Sequence, residues 1–148
     1  MKLAKLAEDY CRRAKTRIKS AELAHSDKSY PDVVRYGQEC VELSLKAALR
    51  AVGVEYPKEH DVGRILRAVK DRFPEWFRME TGKLSEISRD LADKRAPSLY
   101  GIESSGKAPS DIFGKDDAEK ALSDAKYVLN VVIKFLLELQ VISEDQIR

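Results

Sequence analysis

YPDVVRYGQECVELSLKAALRAVG, residues 30–53, is the stretch whose reading decides the fold. Its apolar residues recur at three- and four-residue steps, the period of one face of a helix. Gly37, Cys40, Ser44, Ala47, Ala48 and Ala51 are small enough to let another helix approach closely. Val33, Val41, Leu45, Leu49 and Val52 widen the apolar arc, and Arg35, Gln38, Glu39, Glu42, Lys46 and Arg50 leave only a narrow polar one. A helix with so wide an apolar arc is central in a bundle. Pro31 suits the first turn, where its missing N–H costs nothing, and Gly53 is a natural stop. Glu42 and Lys46 stand in the favourable order for a pair worth about 0.3 kcal/mol.

The same period extends in both directions. Leu3, Ala7, Tyr10, Ala14, Ile18 and Ala21 predict a first helix over about 2–25, and residues 26–30 a polar turn. VEYPKEHD (54–61) is a connection. His60 or Asp61 opens a third helix, DVGRILRAVKDRF, with Val62, Ile65, Leu66 and Val69 inward and Pro74 interrupting it. An extra turn at EWFRME makes Trp76 and Phe77 aromatic anchors. A fourth helix is predicted over about 83–95, ended by Pro97. Residues 97–115 hold two Pro, three Gly and four Ser and read as a long loop, parts of which pack through Leu99, Tyr100, Ile102, Ile112 and Phe113. Asp116 with Glu119 reads as a capping box for a last helix over about 117–142. Asn130, Lys134 and Glu138 form the main polar stripe of that helix. It is either a second central helix or one facing both its own core and a twin subunit. No strand alternation and no internal repeat is present. The expected architecture is all-α, a four- to five-helix up-and-down bundle, with residues 1–148 as a single domain.

Composition narrows the function classes. The chain of 148 residues is 43% apolar and 35% charged, so it should fold with a highly charged surface. Its net charge of +2 is too small for a generic nucleic-acid binder. The charge is uneven: residues 1–72 carry sixteen Lys/Arg against eleven Asp/Glu, and residues 73–148 carry eleven against fourteen. Cys11 and Cys40 lack both CxxC spacing and histidine neighbours, so they read as buried thiols and no metal or other cofactor is expected. The N-terminus has no signal-peptide core. VLNVVIKFLLELQVI (128–142) is too short and too often interrupted by polar residues to span a bilayer. A cytoplasmic protein is expected.

One further stretch draws a chemical question. In DKRAPSLYG (93–101), Arg95 follows Leu91 by four residues and so projects from the face defined by Leu84, Ile87 and Leu91. Arginine is rarely buried without a partner. It can pair with a carboxylate such as Glu42 or Glu39, or its planar fork can bind a phosphate in a groove. Tyr100 then offers a ring or a phenol.

Residues 30–66 resemble HEPN domains, small helical bundles of prokaryotic toxin–antitoxin and nucleotidyltransferase-linked systems. Gln38, Glu42, Lys46-Ala47 and His60-Asp61 carry the resemblance, with a later Arg95-to-Tyr100 segment and an acidic helix start before Ala118. The resemblance implies a homodimeric bundle. Many such proteins are metal-independent RNases whose motif is an arginine, four to six residues, then a histidine, which supplies acid–base chemistry near neutral pH. This chain lacks that motif. Neither His25 nor His60 has an arginine at the required spacing, and Tyr100 stands where the histidine would follow Arg95. An ordinary tyrosine is a poor base at pH 7. His60 reads as a structural residue bonding backbone at a helix start, and His25 as an exposed helix-end residue. The resemblance therefore implies a binding or partner module rather than an enzyme, working with a minimal nucleotidyltransferase, with Tyr100 as an acceptor for a transferred nucleotide. The alternatives are an RNase using Arg95 and Tyr100, and a nucleotide-binding or structural dimer. The binding residues implied are Arg95, Tyr100, Glu42, Gln38 and Lys46, toward a nucleotide or RNA.

Overall fold

Small side chains at the centre of α2 (Tyr30–Ala51) decide how the other helices pack. The computed structural model describes residues 2–56 and 58–147; Pro57, part of the expected 54–61 connection, lies outside the described residues, as do Met1 and Arg148. α2 packs against α1 (Lys2–Ser26), α5 (Thr81–Tyr100) and α7 (Lys115–Glu138). Short helices α3 (Gly63–Ala68), α4 (Glu75–Arg78) and α6 (Pro109–Ile112) fill the connections. The described residues form an all-α bundle with no strand, as the periodicity predicts.

Close approach is visible at two glycines. A Cβ on Gly37 would lie 3.2 Å from the Ala121 carbonyl oxygen, so α7 sits directly on the small face of α2. A Cβ on Gly63 would lie 3.0 Å from Ser85, where α3 crosses α5. At the far end of the bundle, Phe73, Phe77 and Phe135 close the core. Phe73 and Phe77 stack at 4.2 Å between centroids, and Phe135 lies 5.1 and 5.2 Å from them. The polar stripe of α7 meets this end: Trp76 Nε1 donates to Glu138 (2.9 Å), and Lys134 lies over the Trp76 ring. Cys11 and Cys40 are buried free thiols. Burial pushes the Cys11 thiol up to about 11 and the Cys40 thiol up to about 12.

Several boundaries differ from expectation for identifiable reasons. α3 is short because the chain tightens into a 3₁₀ turn at Lys70–Arg72 before Pro74. α5 does not stop at Pro97 but runs to Tyr100. Proline removes one helical N–H donor, which would have bonded the Asp93 carbonyl. Asp93 is exposed, so water can take that place. The helix ends instead at Gly101, with φ +73° and its N–H donated to the Pro97 carbonyl. A Cβ there would lie 2.1 Å from the Lys107 carbonyl oxygen, so the turn requires glycine. The expected 97–115 loop is therefore shorter, and it contains a 3₁₀ turn (Glu103–Ser105) and α6. α7 is capped by Gly114 and Asp117, not by Asp116 and Glu119: Gly114 N donates to Asp117 Oδ2 at 2.9 Å. It ends at Glu138 rather than near 142, and Gln140 turns the chain with φ +58°.

Candidate functional site

The narrow polar arc of α2 lies in a seam between α1 and α5, and there it builds a charged network. Arg95, half-buried on α5, donates from Nη1 to Gln38 Oε1 at 2.6 Å and to Glu39 Oε2 at 3.3 Å. Its place four residues beyond Leu91 therefore does turn it inward, against polar partners. Glu39 also accepts from Arg17 Nε of α1 (2.8 Å) and from Arg35 Nη1 (3.0 Å). One carboxylate thus serves three guanidiniums. Such sharing is tolerable only where charge-assisted hydrogen bonds are well formed.

Glu42 is the second centre. It accepts from Gln38 Nε2, Lys46 Nζ and His60 Nδ1, each at 2.8 Å. Burial raises its carboxyl pKa, but the hydrogen bonds from Lys46, Gln38 and His60 outweigh burial and hold it below the usual range. It is therefore ionised at neutral pH. An ionised carboxylate only accepts, so His60 donates to it from Nδ1. Gln38, with its side chain buried, joins the two centres by accepting from Arg95 and donating to Glu42.

His60 differs from its expected role. The ring does not bond backbone at the start of α3. That work falls to Asp61 Oδ1, which accepts from Gly63 N (2.9 Å), and to Ser88 Oγ, which accepts from Val62 N (2.9 Å) and donates to Asp61 (3.0 Å). These bonds pin the connection to α5 and leave the His60 ring, exposed by 57%, resting on Glu42. His25 closes α1, 3.7 Å from Glu119.

Two recesses open beside this network and share His60 and Arg95. The first is a cleft of about 250 Å³ walled by Arg13 and Arg17 of α1, Glu39, Glu42 and Leu43 of α2, His60 and Arg95. The second, of about 340 Å³, adds Ala92, Ala96, Leu99 and Tyr100 of α5. Tyr100 is 67% exposed at its rim. Of the residues expected at a site, Arg95, Gln38 and Glu42 are brought into one network. Lys46 joins it through Glu42 and lies over the Tyr56 ring. Tyr100 reaches the same place only through the second recess. Arg13 and Arg17 escaped the sequence reading, and His60 was read there as a backbone-bonding residue of the α3 start rather than as part of this site. The arginines look like ordinary surface charges of α1, although their four-residue spacing puts them on one helix face. Among the described residues no group of three or more His, Cys, Asp or Glu is placed to hold a metal ion. No helix among them is long and apolar enough to cross a membrane.

Comparison with known proteins agrees with this architecture. The model of the HEPN domain family matches residues 7–136. A protein of Methanocaldococcus jannaschii described as "Putative toxin MJ1304" is 30% identical over 140 residues, covering 90% of each chain. No solved structure gives a significant match.

Proposed function

This chain belongs to the HEPN domain family, and from that premise we propose that it is the HEPN module of a toxin–antitoxin-like system that acts with a separate minimal nucleotidyltransferase. Its relative described as a toxin supports the system, and the family resemblance supports the partner. The observation that carries the reading is the placement of Tyr100. Its side chain is 67% exposed at the mouth of a recess shared with Arg95. An exposed phenol beside a guanidinium suits an acceptor for a transferred nucleotide. The phenolic oxygen bonds the α-phosphorus of a nucleoside triphosphate, pyrophosphate leaves, and the phenolic proton passes to the transferase or to water. The guanidinium offsets the added phosphate charge. In this reading the module is a homodimeric domain in the cytoplasm, and it contributes the acceptor rather than the catalyst.

The test is co-incubation with a minimal nucleotidyltransferase of the kind that accompanies such HEPN proteins and a nucleoside triphosphate, followed by intact-mass measurement. The expected result is a gain of one or more nucleotidyl units, abolished by Tyr100→Phe. An unchanged mass would overturn the reading.

A second reading, a metal-independent RNase using Arg95 and Tyr100, is favoured by the cluster of guanidiniums beside the first cleft. Arginine can stabilise charge on a phosphate in the transition state. Cleavage of end-labelled RNA in chelator, lost on Arg95→Ala and on Tyr100→Phe, would support it. Arg95 as a purely structural ion-pair residue is the remaining outcome.

A further inference from the structure

α7 ends at Glu138, but the chain does not leave the bundle there. Val141 N donates to the Leu136 carbonyl at 3.0 Å, and Gln140 takes its left-handed φ of +58°, which residues other than glycine seldom adopt. The chain thereby turns back toward the first half of α1. Ile142 is buried in the core cluster, whereas Leu139, Gln140 and residues 143–146 are exposed. Beyond Ile142 a 3₁₀ turn (Glu144–Ile147) is closed by Gln146. Its Oε1 accepts from Ser143 N at 2.7 Å, and its Nε2 donates to Glu8 Oε1 of α1 at 2.9 Å. Ile142 and Gln146 also border a recess of about 150 Å³ whose other walls are Glu8, Cys11 and Arg12 of α1. An apolar plug and a side-chain amide therefore hold this segment to α1. Elements held by few buried contacts open at lower free energy than the bundle that carries them.

We propose that residues 140–147 form a strap that opens while the helical bundle stays folded, and that its opening uncovers Cys11. Gln140 is the hinge, Ile142 the plug, and the Gln146–Glu8 hydrogen bond the latch. The two cysteines of the chain are both buried, but under different covers. Cys40 is enclosed by α2 and α7, with Sγ 3.9 Å from Ser44 Oγ and 3.9 Å from the Ala125 carbonyl oxygen, so reaching it requires parting two long helices. Cys11 is 3% exposed beside the recess that the strap borders. While the strap is seated, burial keeps the Cys11 thiol up at about 11, and little thiolate is present at neutral pH. Lifting the strap returns the thiol to water, where the charge of Lys15 favours the thiolate. The reactivity of Cys11 is then set by the fraction of molecules whose strap is open. The device thus couples a local opening to the availability of one thiol and of the seat that Ile142 vacates. It lies apart from the Arg95 network and is independent of any transfer to Tyr100.

Timed alkylation of the full chain with iodoacetamide at neutral pH, read by peptide mass, tests it. Each rate is divided by that of the same thiol in the urea-unfolded chain. Cys11 should then react at least about tenfold faster than Cys40. Urea below the unfolding transition should leave the Cys11 rate nearly flat and raise the Cys40 rate steeply, because a local opening exposes little surface. Ile142→Ala should speed Cys11 about tenfold or more, and Gln146→Ala, at an exposed position that the bundle does not need, about threefold. Leu91→Ala, buried on α5, should speed Cys40 and leave Cys11 unchanged, since the strap opens from an intact bundle. The proposal is overturned if both thiols react at one relative rate with one urea dependence, which would mean that Cys11 is reached only by global unfolding. It is equally overturned if Ile142→Ala and Gln146→Ala leave the Cys11 rate unchanged, or if Leu91→Ala speeds both thiols alike.

Discussion

The two sides of α2 solve opposite problems. One side lies on α7 through glycine, alanine and cysteine, and that core continues to the Phe73–Phe77–Phe135 cluster. There the stabilisation comes from apolar area removed from water, and every atom has a neighbour. The other side lies in the seam with α1 and α5, where Glu39 and Glu42 gather more cations than they can neutralise. Burial alone would favour an apolar seam, because half-buried charges return little net stability. The contrast teaches that the apolar side builds the fold, while the polar side is the one that the proposed function would use.

Substitutions on each side should separate these roles. The largest effect is expected from Phe77→Ala, which removes a fully buried ring and should cost about 3–5 kcal/mol in chemical denaturation. Any binding of a nucleotide or RNA at the charged seam should survive in the fraction that stays folded. Glu39→Gln should cost less, about 2 kcal/mol, by leaving Arg17, Arg35 and Arg95 without their shared carboxylate. Removing a negative charge from the cleft should at the same time raise any affinity for RNA, measured by titration at low salt. Stability and affinity moving in opposite directions would sharpen the contrast, and a parallel loss would break it. The smallest effect concerns pH. The folded-state pKa of Glu42 is depressed, so its contribution is present above the ordinary carboxylate value of about 4.3 and is lost as pH falls through the folded value. Urea midpoints measured at neutral and acid pH should therefore fall less steeply for Glu42→Gln than for the parent.

Much of the fold was legible because it rests on local periodicity. The small face of α2, the inward turn of Arg95 and the aromatic anchors all follow from residues a few positions apart. The helix ends were less legible. The break expected at Pro97 depends on whether the orphaned carbonyl can reach water, and the stop at Gly101 depends on Lys107, six residues away. The site was legible in half. Arg95, Gln38 and Glu42 were in view, but His60 meets Glu42 across eighteen residues, through a connection whose path is set by Ser88 on another helix. Arg13 and Arg17 gain meaning only once α1 lies beside α2. Nothing local distinguishes them from the other cations of the first helix.

The bracket from Pro97 to Gly101 has a consequence for encounter with a partner. Tyr100 is open to solvent, yet its backbone is held within the last turn of α5 between a proline and a glycine that tolerates no side chain. An exposed residue on a mobile loop would have to be ordered on docking, at roughly 1–2 kcal/mol for each residue fixed. Here that ordering cost has already been met during folding. A partner that engages Tyr100 meets it in a single backbone conformation, and more of the contact energy remains as affinity.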